Sequence, residues 1–166
     1  MKRYLSLVAV LAAFIVVTPA TANAGAPVRE FIPADDLTIE EGACDFPILV
    51  EVLVNNEYVI SFFDDEGEVV RDIVQGRLVV RLTNTETGAS VVRNISGPGV
   101  FTYSDDETIL TARGNWFFWF FPGDLGPGSE GSAYINTGVS IQRITDAGFE
   151  IISETGAQED LCATLG

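Results

Sequence analysis

From residue 46 onward, apolar and polar positions alternate with a period of two. Ile48, Val50 and Val52 fall on one face of a strand, and Leu49, Glu51 and Leu53 on the other. Residues 58–63 repeat the pattern, Asp64-Asp65-Glu66-Gly67 is a turn, and residues 68–74 resume it. Leu78, Val80 and Leu82 alternate with Arg77, Val79, Arg81 and Thr83, and the turn Asn84-Thr85-Glu86-Thr87-Gly88 leads into residues 90–95. Ser96-Gly97-Pro98-Gly99 punctuates before residues 100–103, and Asp105-Asp106 turns the chain into residues 108–112. After a Gly/Pro-rich loop at 122–131, residues 132–136, 139–144 and 149–153 complete the series, with Asp146-Ala147-Gly148 as the last hairpin turn. About ten short strands and no helix of ten or more residues predict an all-β domain. Short connections favour antiparallel neighbours, so the expected topology is a meander that closes into a barrel, with a two-sheet sandwich as the alternative.

Ahead of this domain the pattern differs. Met1-Lys2-Arg3, an apolar run from Tyr4 to Val17, and the small-residue sites Ala20-Thr21-Ala22 and Ala22-Asn23-Ala24 have the order of a secretory signal. The run is shorter than the roughly 20 residues that span a bilayer. The chain thus divides into a signal peptide at 1–24, an irregular acidic segment at 25–45 and a single β domain at 46–166. The expected location is secreted and extracellular. The segment 25–45 is read as irregular because Ala26-Pro27 and Ile32-Pro33 interrupt it.

Composition narrows the partners. The 166 residues carry 9 Lys+Arg, 24 Asp+Glu and no histidine. Removing residues 1–24 takes Lys2 and Arg3 and leaves 142 residues, in which 7 arginines face 24 acids, a net charge of −17. Such a chain repels nucleic acid and an anionic membrane surface. Hydrophobic residues at 47% supply a core and exclude a disordered acidic chain. The only two cysteines, Cys44 and Cys162, are expected to form a disulfide in an exported protein, bringing the two ends of the domain together.

Six consecutive aromatics stand apart: Trp116-Phe117-Phe118-Trp119-Phe120-Phe121. As a strand, this run sends Trp116, Phe118 and Phe120 to one face and Phe117, Trp119 and Phe121 to the other. Three such side chains left in water would expose about 450–750 Å², more than a monomer usually tolerates. Both faces are therefore expected to be covered. The cover is the protein itself (for example residues 25–43), a second copy of the chain, or a small apolar ligand in a barrel mouth. Arginines fall on or beside strands at 71, 77, 81, 93, 113 and 143. They pair across strands with Glu51, Glu68, Asp72 or Glu150, or else point inward to hold an anion.

Catalytic equipment is thin. Histidine triads, lysine nucleophiles, a G-x-S-x-G elbow and a phosphate loop are all missing from the sequence after residue 24. Asp64-Asp65-Glu66 and Asp105-Asp106-Glu107 lack the ligand spacing of a calcium loop. No cofactor and no metal are expected. Residues 76–80, 83–88, 94–99, 114–116, 122–128 and 158–162 together resemble small secreted all-β proteins of bacteria without an assigned activity. The resemblance covers most of the chain after residue 24 and implies no catalytic residues. Gly114-Asn115-Trp116 is also similar to the G-x-W of lipocalins. There, however, the motif opens the barrel, and its late place here leaves only a convergent calyx.

The leading expectation is a non-enzymatic binding domain for an apolar small molecule or a protein partner. Its candidate site is Trp116, Phe118, Trp119 and Phe120, with Arg81, Arg93 and Arg113. The alternatives are a structural protein that forms a homodimer through residues 116–121, and a barrel isomerase or hydrolase using tyrosine, arginine and a carboxylate.

Overall fold

The computed structural model describes residues 25–166; the expected signal peptide lies outside them. The alternating pattern folds as strands throughout: β1 (Val28–Phe31), β2 (Leu37–Ile39), β3 (Ile48–Asn55), β4 (Tyr58–Phe63), β5 (Val69–Gln75), β6 (Leu78–Asn84), β7 (Ser90–Asn94), β8 (Gly99–Tyr103), β9 (Thr108–Arg113), β10 (Trp116–Phe120), β11 (Ser132–Asn136), β12 (Val139–Thr145), β13 (Gly148–Thr155) and β14 (Gln158–Asp160). One short helix, α1 (Leu161–Leu165), ends the chain, capped by the Asp160 carboxylate on Ala163 N. The segment 25–45, read as irregular, contains two strands of three and four residues. Each is held as an edge on a longer neighbour, β1 on β4 and β2 on β3.

All pairing is antiparallel and falls into three sheets, ordered β1-β4-β5-β8-β9-β12-β13, β10-β11-β14 and β2-β3-β6-β7. These sheets are pieces of one meander. Asn55 pairs with Leu78 in β3–β6, and Tyr58 with Gln75 in β4–β5, so a single register runs from one sheet into the next. The same holds for β6–β7 with β5–β8, and for β9–β12 with β10–β11. It holds again for β12–β13 with β11–β14. Six long strands therefore zigzag through residues 48–160, each interrupted once near its middle.

The interruptions line up. Following the registers across the strands, Glu57 faces Gly76, Gly76 faces Gly97, Gly97 faces Gly114, Gly114 faces Gly138, and Gly138 faces Gly156. At Gly76, Gly97, Gly138 and Gly156 the strands fold so tightly that a side chain has no place. A Cβ on Gly138 would lie 2.7 Å from the Gly156 Cα, and one on Gly76 would lie 2.5 Å from the Glu57 Cα. Hydrogen bonds continue through the crease, from Asn56 N to Arg77 O, Gly97 N to Asn115 O and Gly114 N to Gly138 O.

Beyond the crease the meander forks. β8 pairs with β9, but their continuations β7 and β10 do not pair. β3, β6 and β7 join β2 as one sheet, and β10, β11 and β14 turn inward as another. One core lies between those two sheets and α1, with Ile39, Ile48, Val50, Val80 and Leu82 meeting Phe117, Ala133, Ile135, Leu161 and Leu165. A second lies between the three-stranded and seven-stranded sheets, with Phe118 and Phe120 on Leu110 and Ala112.

Neither the expected closed barrel nor a two-sheet sandwich forms, although the all-β class and the antiparallel meander do. Closure requires first and last strands to pair, whereas β1 and β13 are the free edges of the largest sheet. The Cys44–Cys162 disulfide is present, with Cα atoms 5.3 Å apart, and ties the segment before β3 to α1.

Candidate functional site

β10 is apolar on both sides because it has a core on each. Phe117 is buried in the first core, and Phe118 and Phe120 in the second. The expected two-sided cover is therefore supplied by the chain's own sheets. Ile39 and Ala43 of the N-terminal segment share this core with Phe117, together with Ile48 and Val50 of β3 and Val80 and Leu82 of β6. Trp116 sits nearest the crease, in a slot that glycines open for it. A Cβ on Gly97 would stand 2.6 Å from the Trp116 Nε1, and one on Gly99 would stand 2.8 Å from its Cη2. The indole N–H donates to Pro98 O at 3.2 Å, and its ring meets Phe101 and Phe118 at 6.4 and 5.9 Å.

Cover is incomplete at one place. Trp119 is 39% exposed, its ring 5.2 Å from Phe117, and Phe149 is 37% exposed, its ring 5.5 Å from Phe120. Between them an open groove of about 390 Å³ runs along all six aromatic residues. Leu110, Gln142, Ile144 and Phe149 line its seven-stranded side. Asp124 fixes its mouth: the carboxylate accepts from Phe121 N at 2.8 Å, and the main-chain O accepts from Phe149 N at 2.9 Å. The groove shares Ile144 with an acidic cleft of about 320 Å³ between the β8–β9 and β12–β13 turns, where Asp105, Asp106, Glu107 and Asp146 converge.

β10 is also an edge strand. Its ladder with β11 continues that of Gly114 N to Gly138 O, so Trp116, Phe118 and Phe120 exchange main-chain bonds with β11. The N–H and C=O of Phe117 and Trp119 point the other way, where no strand pairs among the described residues.

The arginines of the expected site lie elsewhere. Arg81 pairs with Glu51 on the adjoining strand at 3.3 Å, as cross-strand pairing predicts. Arg93 bridges the fork from β7 to β14, donating Nε to Glu159 Oε2 at 2.8 Å and Nη2 to Oε1 at 2.6 Å. Those hydrogen bonds hold the Glu159 carboxyl below its ordinary range. Arg113 is exposed at the end of β9 and has no ion pair among the described residues. None of the three lines the groove. Arg143 carries the expected pair with Glu150 and a second with Glu107 at 2.7 Å. The sequence reading missed Phe149, Leu110, Ile144 and Gln142. They lie 6 to 28 residues from the aromatic run and reach it only because the sheet folds back.

Two tyrosines pair with carboxylates inside the fold. The Tyr103 hydroxyl donates to Asp72 Oδ2 at 2.8 Å, and burial, aided by that carboxylate, pushes its pKa up to about 12. Burial, with Glu154 alongside, raises the Tyr134 hydroxyl further still; Glu154 also accepts from Asn136 at 3.3 Å. Hydroxyls so raised stay protonated at neutral pH and serve as fixed donors. Among the described residues no group of three or more Cys, Asp or Glu is placed to hold a metal ion. Comparisons of the chain with protein-family models, with curated proteins and with solved structures gave no match.

Proposed function

We propose that the protein is an exported, non-catalytic binding module that captures an apolar ligand in the groove along β10. The observation that supports this reading is the paired exposure of Trp119 and Phe149 over an aromatic-lined groove of about 390 Å³. That size and lining suit a small apolar ligand or a few apolar side chains. The polar groups near the groove have local tasks, Asp124 holding the loop and Gln142 bonding Ser140. Among the described residues no nucleophile with an activating base lines the groove.

Both tryptophans of the chain lie in β10, so intrinsic fluorescence reports on the groove directly. Titration with the neutral probe N-phenyl-1-naphthylamine is expected to give saturable quenching. Trp119→Ala or Phe149→Ala should weaken the probe about tenfold, in line with loss of an aromatic anchor. Absence of saturable binding to the folded protein sinks the proposal. The self-association alternative draws on the same exposed Trp119. Sedimentation would then show a dimer that Trp119→Asp dissociates, whereas the binding reading expects a monomer before and after.

A further inference from the structure

We infer that the occupant of this groove is an extended peptide segment with alternating basic and apolar residues, added as a new strand to the outer edge of β10. The inference rests on the binding reading above and names its partner.

Three observations carry it. First, the outer N–H and C=O groups of Phe117 and Trp119 have no strand partner among the described residues, and the groove runs beside them. A small apolar molecule would fill the groove and leave those groups unpaired; an extended main chain satisfies both at once. Second, β10 lacks the devices that normally blunt an edge. The edge strand β1 carries Arg29 and Glu30, β7 carries Arg93, and β13 carries Glu150 and Glu154, whereas β10 carries no charge over five residues. Third, the groove opens beside carboxylates. Asp105, Asp106, Glu107 and Asp146 line the cleft that shares Ile144, and Glu150 lies next to them. Arg143, paired with Glu107 and Glu150, is, among the described residues, the one cation placed with these five acids.

Charge also decides between occupants. Two copies of a chain at −17 repel one another, while a basic strand is drawn in. β10 spans about 17 Å at roughly 3.4 Å per residue, room for about five residues of the added strand. Alternate side chains of that strand would point into the aromatic groove.

The test uses three synthetic, end-capped decapeptides on the purified protein, read by tryptophan fluorescence. One alternates lysine and valine, one is the same with N-methyl groups on every second main-chain nitrogen, and one alternates glutamate and valine. The lysine–valine peptide should bind saturably. The N-methylated form should bind at least tenfold more weakly, and the glutamate form not at all. Trp119→Pro deletes an outward N–H without touching the ladder to β11 and should abolish peptide binding, while Trp119→Ala, which retains that N–H, only weakens it; Trp116 remains as reporter. If Trp119→Pro fails to fold, the N-methylated peptide still isolates the main-chain contribution on the unaltered protein. Equal binding of the plain and N-methylated peptides overturns the inference, as does a stable dimer through β10 in sedimentation. If the neutral probe binds and no peptide does, this inference falls and the groove remains a small-molecule site. If neither binds, the binding reading falls as well.

Discussion

Gly97 has an ordinary backbone conformation, yet a methyl group there would collide with the Trp116 ring. Only space forbids the side chain, which separates it from glycines in open turns such as Gly67, at φ +90° with nothing within 4 Å. Gly97→Ala is expected to destabilise by about 1–3 kcal/mol through forced repacking of Trp116. It should also shift the emission of that tryptophan. Gly67→Ala should cost about 1–2 kcal/mol of backbone strain and leave emission unchanged. Urea midpoints with emission spectra check both. Tyr103 gives a pH signature. Its hydroxyl titrates near 10 in the unfolded chain and at about 12 when folded. Between those values the unfolded chain has lost a proton that the folded one keeps, so unfolding gains ground as pH rises. The contribution of Tyr103 to stability should therefore be level below about pH 10 and fall towards pH 12. In Tyr103→Phe that slope should be shallower, with Tyr134 responsible for what remains; urea midpoints across the range measure it.

At the scale of elements, ten of the fourteen strands follow from alternation, because each is long enough to show a face, and β10 follows from its doubly apolar run. β1, β2 and β14 are three or four residues long, mostly exposed, and bordered by proline, glycine or acids, so their pattern carries no period. The double-sided character of residues 116–121 was legible, and so was the need for cover. What covers them was not, since β10 meets two cores only through the fork between β7 and β10. That fork depends on glycines at 76, 97, 114, 138 and 156, irregularly spaced along the chain and aligned only in the folded register. The groove was legible by half for the same reason: the aromatic wall is contiguous in sequence, and Leu110, Ile144 and Phe149 are not. Cross-strand partners for Arg81 and Arg143 came from register-neutral reasoning about charge and hold in the structure. The disulfide joins elements that no hydrogen-bonded ladder connects directly, the segment before β3 and α1. Opening it in a Cys44→Ala/Cys162→Ala variant removes a closure of 118 residues. The expected loss is about 4–5 kcal/mol on the loop-entropy view, read as a lowered urea midpoint with a somewhat steeper slope, because the unfolded chain expands once the closure is gone.

Across the whole molecule, the two cores share one thin partition. Phe117 and Phe118 are neighbours in sequence but belong to different interiors, so a disturbance of β10 reaches both. The acids, gathered at turns and rims, leave that partition uncharged, and four of them line the cleft that adjoins the groove at Ile144. The ladders that keep their register through the crease carry a further consequence. Because every long strand contributes to two sheets under a single numbering of partners, neither half can slide, detach or be replaced while the other keeps its place. A single residue inserted into an arm of the zigzag would turn that arm inside out from the insertion onward unless it is taken up as a bulge, as the register shifts at Val52/Val54, Phe62/Phe63 and Ile141/Gln142 already are. Tolerable changes in length are thereby concentrated at the hairpin tips, at such bulges and in the loop before β11, and natural variation in this architecture would gather there.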